Sequence, residues 1–177
     1  TVATVWENIG GIDYTGIDME LRWIANENLE IFATAGWLDA EYDGFLSHNF
    51  VPVNEQASTP KQNVDFLTPK NAPDTTYGFG GTYAAQVGPG ELSLHLKWNY
   101  IDDIETSTYN TPGTGREAVD FINAALSYSW ENWKFSIYGN NLGDEQFETP
   151  LFVVLPFFAW SSVSQGRQYA AEIEVQF

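Results

Sequence analysis

Apolar and polar side chains alternate with a period of two through almost the whole chain. In the segment from Arg167 to Phe177, Tyr169, Ala171, Ile173, Val175 and Phe177 alternate with Gln168, Ala170, Glu172, Glu174 and Gln176. That spacing describes a β-strand with one oily side. The same stripe runs through Ile17, Met19, Leu21 and Trp23, through Leu92, Leu94, Leu96, Trp98 and Tyr100, and through Ile122, Ala124, Leu126, Tyr128 and Trp130. Such segments predict seven strands, at roughly 12–25, 29–43, 75–87, 91–104, 119–131, 133–142 and 166–177, and essentially no helix. The chain is therefore expected to be all-β and antiparallel.

The connections alternate strictly between two kinds. Asn26-Glu27-Asn28, Gly88-Pro89-Gly90 and Glu131-Asn132 have the chemistry of tight hairpin turns. The others, about 44–74, 105–118 and 143–165, are long. Compact soluble domains seldom use structureless connections above about 15 residues, and seldom gather them at one end. Outer-membrane barrels do both, with short periplasmic turns and long extracellular loops. The strands also reach the ~9–11 residues that a tilted membrane-spanning strand needs.

Composition removes several functions. There are 24 acidic against 7 basic side chains, a net charge of −17, so a basic footprint for nucleic acid cannot form. With no Cys, and His48 and His95 as the only histidines, thiolate or multi-histidine metal sites and disulfide scaffolds are out of reach. Aromatics at 16% nearly equal charged residues at 18%, which is the wrong balance for disorder. No apolar stretch approaches the ~18–20 residues of a membrane helix.

A soluble β-sandwich would also alternate, burying one face of each strand. Three features favour a membrane barrel. The polar stripes carry small or charged residues suited to a wet lumen, such as Asp18, Glu20, Arg22, Gly78, Gly80 and Thr82. Trp23, Trp98, Tyr100, Tyr128, Trp130, Trp133 and Tyr169 sit near strand ends, like interfacial girdles. Phe177 continues an apolar stripe to the last residue. With the tight turns periplasmic, seven strands would leave the two ends on opposite sides. A complete bacterial barrel has an even strand number, and Thr1 is not an initiator Met, so the expectation is a C-terminal part of a larger barrel.

Four motifs, in order along nearly the whole chain, resemble those of TonB-dependent outer-membrane receptors. Asn8-Ile9-Gly10-Gly11 with Tyr14-Thr15-Gly16-Ile17-Asp18-Met19-Glu20-Leu21 resembles their "N-x-G-x-A…G-x-E-x-E" strand. Pro69-Lys70-Asn71-Ala72-Pro73 resembles "P-x-x-A-P". The run from Trp133 through Asn140-Asn141-Leu142-Gly143-Asp144 to Phe147 resembles "W-x-v-x-l-x-g-x-N-L-x-D-x-x-Y", and Gly166-Arg167-Gln168-Tyr169 through Phe177 resembles the final "G-R-x-Y" strand. Gly143, Phe147 and Asp18 depart from the usual residues.

The resemblance implies a 22-stranded barrel around a separate plug domain, in the outer membrane of a Gram-negative bacterium. It implies TonB-energised uptake of a scarce large solute such as a ferric siderophore, haem, cobalamin or an oligosaccharide. The implied partners are outer-membrane lipid and lipopolysaccharide, the protein's own plug, the TonB complex, the assembly machinery and the solute. The plug and the earlier strands are expected to lie outside these residues. An isolated seven-strand sheet would leave two open edges in lipid, so residues 1–177 are not expected to insert alone.

Tyr169, Ile173, Val175 and Phe177 resemble the assembly signal of outer-membrane barrels; the plainer reading is a lipid-facing stripe, and both can hold. Leu151–Trp160 is an apolar run in a connection expected to face water. Phe152, Phe157, Phe158 and Trp160 are therefore candidates for an aromatic ligand vestibule, against the favoured reading that the segment extends the last strands and packs on other loops. Asp102, Asp103, Glu105, Asp144, Glu145 and Glu148 fall at upper strand ends without the spacing of a calcium loop, and read as a solvated acidic rim. Their field disfavours anionic iron complexes unless basic groups elsewhere compensate.

Inward Glu20, Arg22, Glu30, His95, Lys97, Lys134, Glu172 and Glu174 are expected to pair with one another or with the plug. No nucleophile, base and orienting group appear at diagnostic spacing, so no catalytic residue, metal site or cofactor is expected. The competing functions are a soluble all-β, carbohydrate-binding module and an outer-membrane phospholipase-like enzyme. The latter needs Ser and His on the lipid side, whereas His95 lies on the lumen stripe.

Overall fold

A computed structural model describes residues 8, 10–48, 52, 54–56, 58–154 and 158–177, with backbone alone at 149–154 and 158–159. The strands are β1 (Gly11–Asn26), β2 (Leu29–Asp43), β3 (Leu46–Ser47), β4 (Gln62–Asn63), β5 (Thr75–Val87) and β6 (Gly90–Ile101). They continue with β7 (Val119–Trp130), β8 (Trp133–Asn140), β9 (Glu148–Val154), β10 (Phe158–Val163) and β11 (Gln168–Val175). The described residues contain no helix.

Seven strands form one antiparallel sheet in the order β1-β2-β5-β6-β7-β8-β11, and its two outer strands, β1 and β11, do not meet. Each strand pairs with the next long one along the chain, β1–β2, β5–β6 and β7–β8 through tight turns and the other three pairs across the long connections. The turns are Glu27-Asn28, Gly88-Pro89 and Glu131-Asn132, all at one end. Gly88 sits at φ +62, the left-handed region a two-residue hairpin requires and glycine enters without a Cβ penalty.

The register keeps each stripe on one face. Leu29, Tyr83, Leu94, Leu126, Ile137 and Ala171 lie level across six strands. One residue away, Glu30, Thr82, His95, Ala125, Tyr138 and Ala170 lie level on the opposite face. A slip of one residue would invert the whole pattern, so the sequence alternation pins the register.

The long connections are not structureless. β3 pairs with β4 inside the first, Ile104 bridges Arg116 inside the second, and β9 pairs with β10 inside the third. The buried apolar cluster lies here and not between sheets: Tyr42, Phe45, Val64 and Leu67 pack together with Tyr109 against them. Phe45 is 0% exposed. The segments read as loops thus fold into a small cored layer at the end opposite the tight turns.

Candidate functional site

The largest functional surface is the apolar face itself. In a soluble sandwich it would be the core; here it is open. Leu21 is 60% exposed, Ile137 57% and Ile173 66%, each in the middle of a stripe. An exposed apolar surface of this extent needs an apolar partner.

Aromatic residues bound that face along two diagonal lines. The upper line runs from Trp37 through Tyr77 and Tyr100 to Trp98, with neighbouring ring centroids 6.0, 5.8 and 6.4 Å apart. Trp98 donates its indole N–H to Asp120 on β7 at 3.0 Å, and the line reaches Tyr169 on β11. The lower line runs from Trp23 on β1 to Tyr128, Trp130 and Trp133, where Tyr128 donates to the Val87 carbonyl at 3.0 Å. Trp133 stacks on Phe135 with centroids 6.0 Å apart.

Followed through the register, each line descends six residues over five strand steps, from Trp37 to Tyr169 and from Trp23 to Trp133. At ~3.3 Å rise per residue and ~4.8 Å between strands, that slope corresponds to a strand tilt of about 40°. Transmembrane barrels tilt their strands by ~35–45°. The two lines stand about seven residues apart along a strand, or ~18 Å along the tilt-corrected axis, inside the ~25 Å apolar band of such barrels.

The opposite face is polar and internally paired. Arg22 grips Glu30 with two bonds, Nε to Oε1 at 2.6 Å and Nη2 to Oε2 at 2.9 Å. Tyr138 donates to Glu172 at 2.8 Å. Phe32 lies over Gly80, where a Cβ would collide with its ring, and stacks on His95 with centroids 5.8 Å apart. His95 Nδ1 shares a hydrogen bond with the Thr82 hydroxyl at 3.0 Å. Lys134 and Glu174 stand level across β8 and β11.

The outer layer is held by a few specific groups. Asp65 accepts from Asn63 Nδ2 and the Phe45 N–H at 2.6 Å each and from the Gly44 N–H at 3.2 Å, which together hold its carboxyl below the usual range. Asn110 joins the first two long connections, accepting from the Thr68 N–H at 2.7 Å and donating to the Thr68 carbonyl at 2.9 Å. Arg116 is 7% exposed, donates to the Asp102 and Glu117 carbonyls at 2.9 and 3.1 Å, and lies over the Phe147 ring at 5.4 Å. Burial lowers its pKa, opposed by the charge of Asp103. Arg116, Glu117, Glu145, Phe147 and Glu148 line a polar hollow of about 300 Å³. Sequence periodicity missed Phe45, Tyr109, Asn110 and Arg116; the available signal was isolated aromatic or basic residues in otherwise polar connections.

Tyr169 and Ile173 stand exposed on the apolar face of β11, Val175 ends the strand, and Phe177 follows it fully exposed. Of the proposed vestibule residues, Phe152 on β9 and Trp160 on β10 are direct cross-strand partners, and Phe158 pairs with Val154. Trp160 is 69% exposed, while Phe157 lies outside the described residues. This hairpin is a sheet of its own, tied at its base by reciprocal Phe147 and Ser164 bonds of 2.9 and 3.0 Å.

Two carboxylates of the acidic rim, Asp102 and Asp144, are held by local bonds, while the buried Glu105 Oε2 has no hydrogen-bond partner among the described residues. Asp102 accepts from the Thr75 hydroxyl at 2.7 Å, from the Asp103 N–H at 3.0 Å and from Tyr100 at 3.1 Å, which holds its pKa down. Asp144 accepts the Arg167 N–H at 2.8 Å. Among the described residues no three His, Asp or Glu side chains converge on a possible metal position. His48 bonds the Thr59 carbonyl at 2.9 Å.

No protein-family model matches the chain. Among solved structures it is similar to the ferric yersiniabactin uptake receptor FyuA from Yersinia pestis, with a TM-score of 0.76 at 17% sequence identity. The match covers 96% of this chain and 24% of that one. The fold is that of part of a β-barrel receptor. The antiparallel sheet expected from the sequence is thereby matched in fold by part of that receptor, for a chain spanning about a quarter of the solved receptor's length.

Proposed function

We propose that this chain is a length of the transmembrane wall of a TonB-dependent receptor in a Gram-negative outer membrane. The observation that carries the proposal is the open apolar face framed by two parallel aromatic lines whose slope gives the tilt of a membrane barrel. Lipid covers that face, as it covers no soluble carbohydrate-binding module. The likeness to FyuA supports the same architecture.

In this reading the sheet continues at both edges into a closed barrel of 22 strands, since an open edge in lipid would leave each unpaired backbone group several kcal/mol out of balance. The polar face looks onto the lumen and the protein's own plug. The TonB complex acts through that plug, and the solute, a ferric siderophore or another iron complex, enters past the cored outer layer and the β9–β10 hairpin. Phe152, Phe157, Phe158 and Trp160 then belong to the outer vestibule. Tyr169, Ile173, Val175 and Phe177 form a stripe that both faces lipid and serves the assembly machinery. The chain performs import and not chemistry.

The experiment is performed on the parent protein. Fractionation should place it in the outer membrane, requiring detergent for extraction. Cells lacking it should lose TonB-dependent uptake of at least one of a panel of ferric siderophores. Extraction by salt alone would contradict the membrane reading, and undiminished uptake across the panel would contradict iron import.

A further inference from the structure

Arg116 is buried without a counter-charge. It is 7% exposed, yet among the described residues no carboxylate stands within ion-pairing distance of it. Two of its five N–H groups bond the Asp102 and Glu117 carbonyls, and the guanidinium lies over the Phe147 ring at 5.4 Å. Those contacts orient the group and leave three N–H donors unbonded among the described residues. A cation held away from water in this way is unfavourable unless an anion reaches it.

Arg116 lines the hollow of about 300 Å³ between the residues leading into β7 and the connection after β8. Buried Val119 and half-buried Phe147 give this hollow an apolar part. Glu117 and Glu148 line it from exposed positions and Glu145 from a half-buried one. Glu148 accepts from the Ser161 hydroxyl at 3.4 Å, whereas the Glu117 and Glu145 carboxylates have no bond or ion pair among the described residues. These three carboxylates do not converge on a metal position. The volume is at the low end of the ~300–1,000 Å³ of small-molecule sites, room for one small group and not for a whole large solute.

We infer that this hollow takes the amino-carboxylate end of a zwitterionic solute, with the carboxylate on Arg116 and the ammonium among Glu117, Glu145 and Glu148. The inference rests on the reading of this end of the sheet as the outer mouth of a receptor, and adds the chemistry of the group recognised there. The field of three carboxylates against one guanidinium disfavours a plain anion. A plain cation would leave the buried guanidinium without a counter-charge. A zwitterion satisfies both, and the burial of Arg116 sets its direction: carboxylate inward, ammonium toward the exposed glutamates. Val119 and Phe147 then cover the adjoining carbon chain.

Saturation-transfer NMR on the detergent-purified parent protein tests this with three related probes: L-leucine, the cation L-leucinamide and the anion N-acetyl-L-leucine. L-leucine should bind, and each single-charge probe should bind about tenfold more weakly, the effect of one charge-assisted hydrogen bond. Arg116→Gln should weaken L-leucine about tenfold without weakening L-leucinamide. Because Arg116 also braces its own connection, a second variant reads the rim alone. Glu117→Gln combined with Glu145→Gln should weaken L-leucine and strengthen N-acetyl-L-leucine, opposite changes that loss of structure cannot produce. Absence of L-leucine binding, equal binding of all three probes, or L-leucine binding unaltered in Arg116→Gln would overturn the site. Any of these in a protein that still fractionates with the outer membrane would leave the receptor reading standing. Extraction by salt alone would overturn that reading, and with it the assignment of the hollow to a transported solute.

Discussion

Asn110 and Thr68 exchange two hydrogen bonds across 42 residues of chain, with Thr68 N donating to Asn110 Oδ1 at 2.7 Å and Asn110 Nδ2 donating to the Thr68 carbonyl at 2.9 Å. The side chain of one long connection thereby mimics a strand partner for the other. Asn110 does so at φ +46, a backbone region that asparagine tolerates better than most residues. Asn110→Ala removes both bonds and retains the backbone cost, for a local loss of about 1–3 kcal/mol. Hydrogen exchange at residues 64–71 should accelerate while exchange in β5 and β6 stays slow.

Phe45 is the hub of the outer layer, 4.8 Å from the Tyr42 ring and 5.6 Å from the Tyr109 ring by centroid. Phe45→Ala leaves a void that a cluster of this size cannot fill, at about 3–5 kcal/mol. The expected outcome is rapid protease cleavage within 44–74, with the far-UV signature of the sheet retained, because the large sheet contributes only Tyr42, at the end of β2, to this buried cluster. Loss of the sheet signal would show that the two parts fold as one.

Asp65 makes the same layer acid-sensitive. The carboxyl is lowered by Asn63 first and then by the Phe45 N–H, so its folded pKa lies beneath the unfolded one. Its stabilisation is complete above the unfolded carboxylate pKa of about 3.9 and is lost as pH falls through the lower folded value. Protease resistance of 44–74 should therefore be flat from neutral pH to about 5 and fall only in stronger acid. In Asp65→Asn that contribution should be missing at every pH.

Much of the sheet was legible because strand alternation is local. The first two strands, expected at 12–25 and 29–43, occur at Gly11–Asn26 and Leu29–Asp43. The eighth strand ends at Asn140, two residues short of expectation, because Asn141 turns out of the ladder at φ +51. Its side chain then bonds the Glu145 N–H at 2.9 Å and the Glu145 carbonyl at 2.7 Å. The outer layer was not legible: Phe45 finds Tyr109 and Thr68 finds Asn110 only after the sheet has brought their connections together, and no period announces such contacts. The β9–β10 pairing was hidden similarly, since Leu151–Trp160 reads equally as an apolar loop.

A charge separates the two faces of the sheet. Leu126→Arg, at the centre of the apolar belt, should cost about 2–4 kcal/mol of barrel stability in lipid, with less protein recovered in the heat-modifiable form. Ser127→Arg, one residue on and facing the other way, should be tolerated nearly as wild type. Equal damage from both would contradict the assigned faces.

The most direct test uses the absence of cysteine from this chain. Single cysteines placed at 122–127 of β7 in the parent protein, reconstituted in lipid vesicles and spin-labelled, report oxygen and water-soluble relaxant access at each position. Labels at Ile122, Ala124 and Leu126 should be accessible to oxygen and those at Asn123, Ala125 and Ser127 should not, with a strict period of two. Oxygen access without that period, or labels at 122, 124 and 126 reached by the water-soluble relaxant, would contradict a strand that spans a membrane.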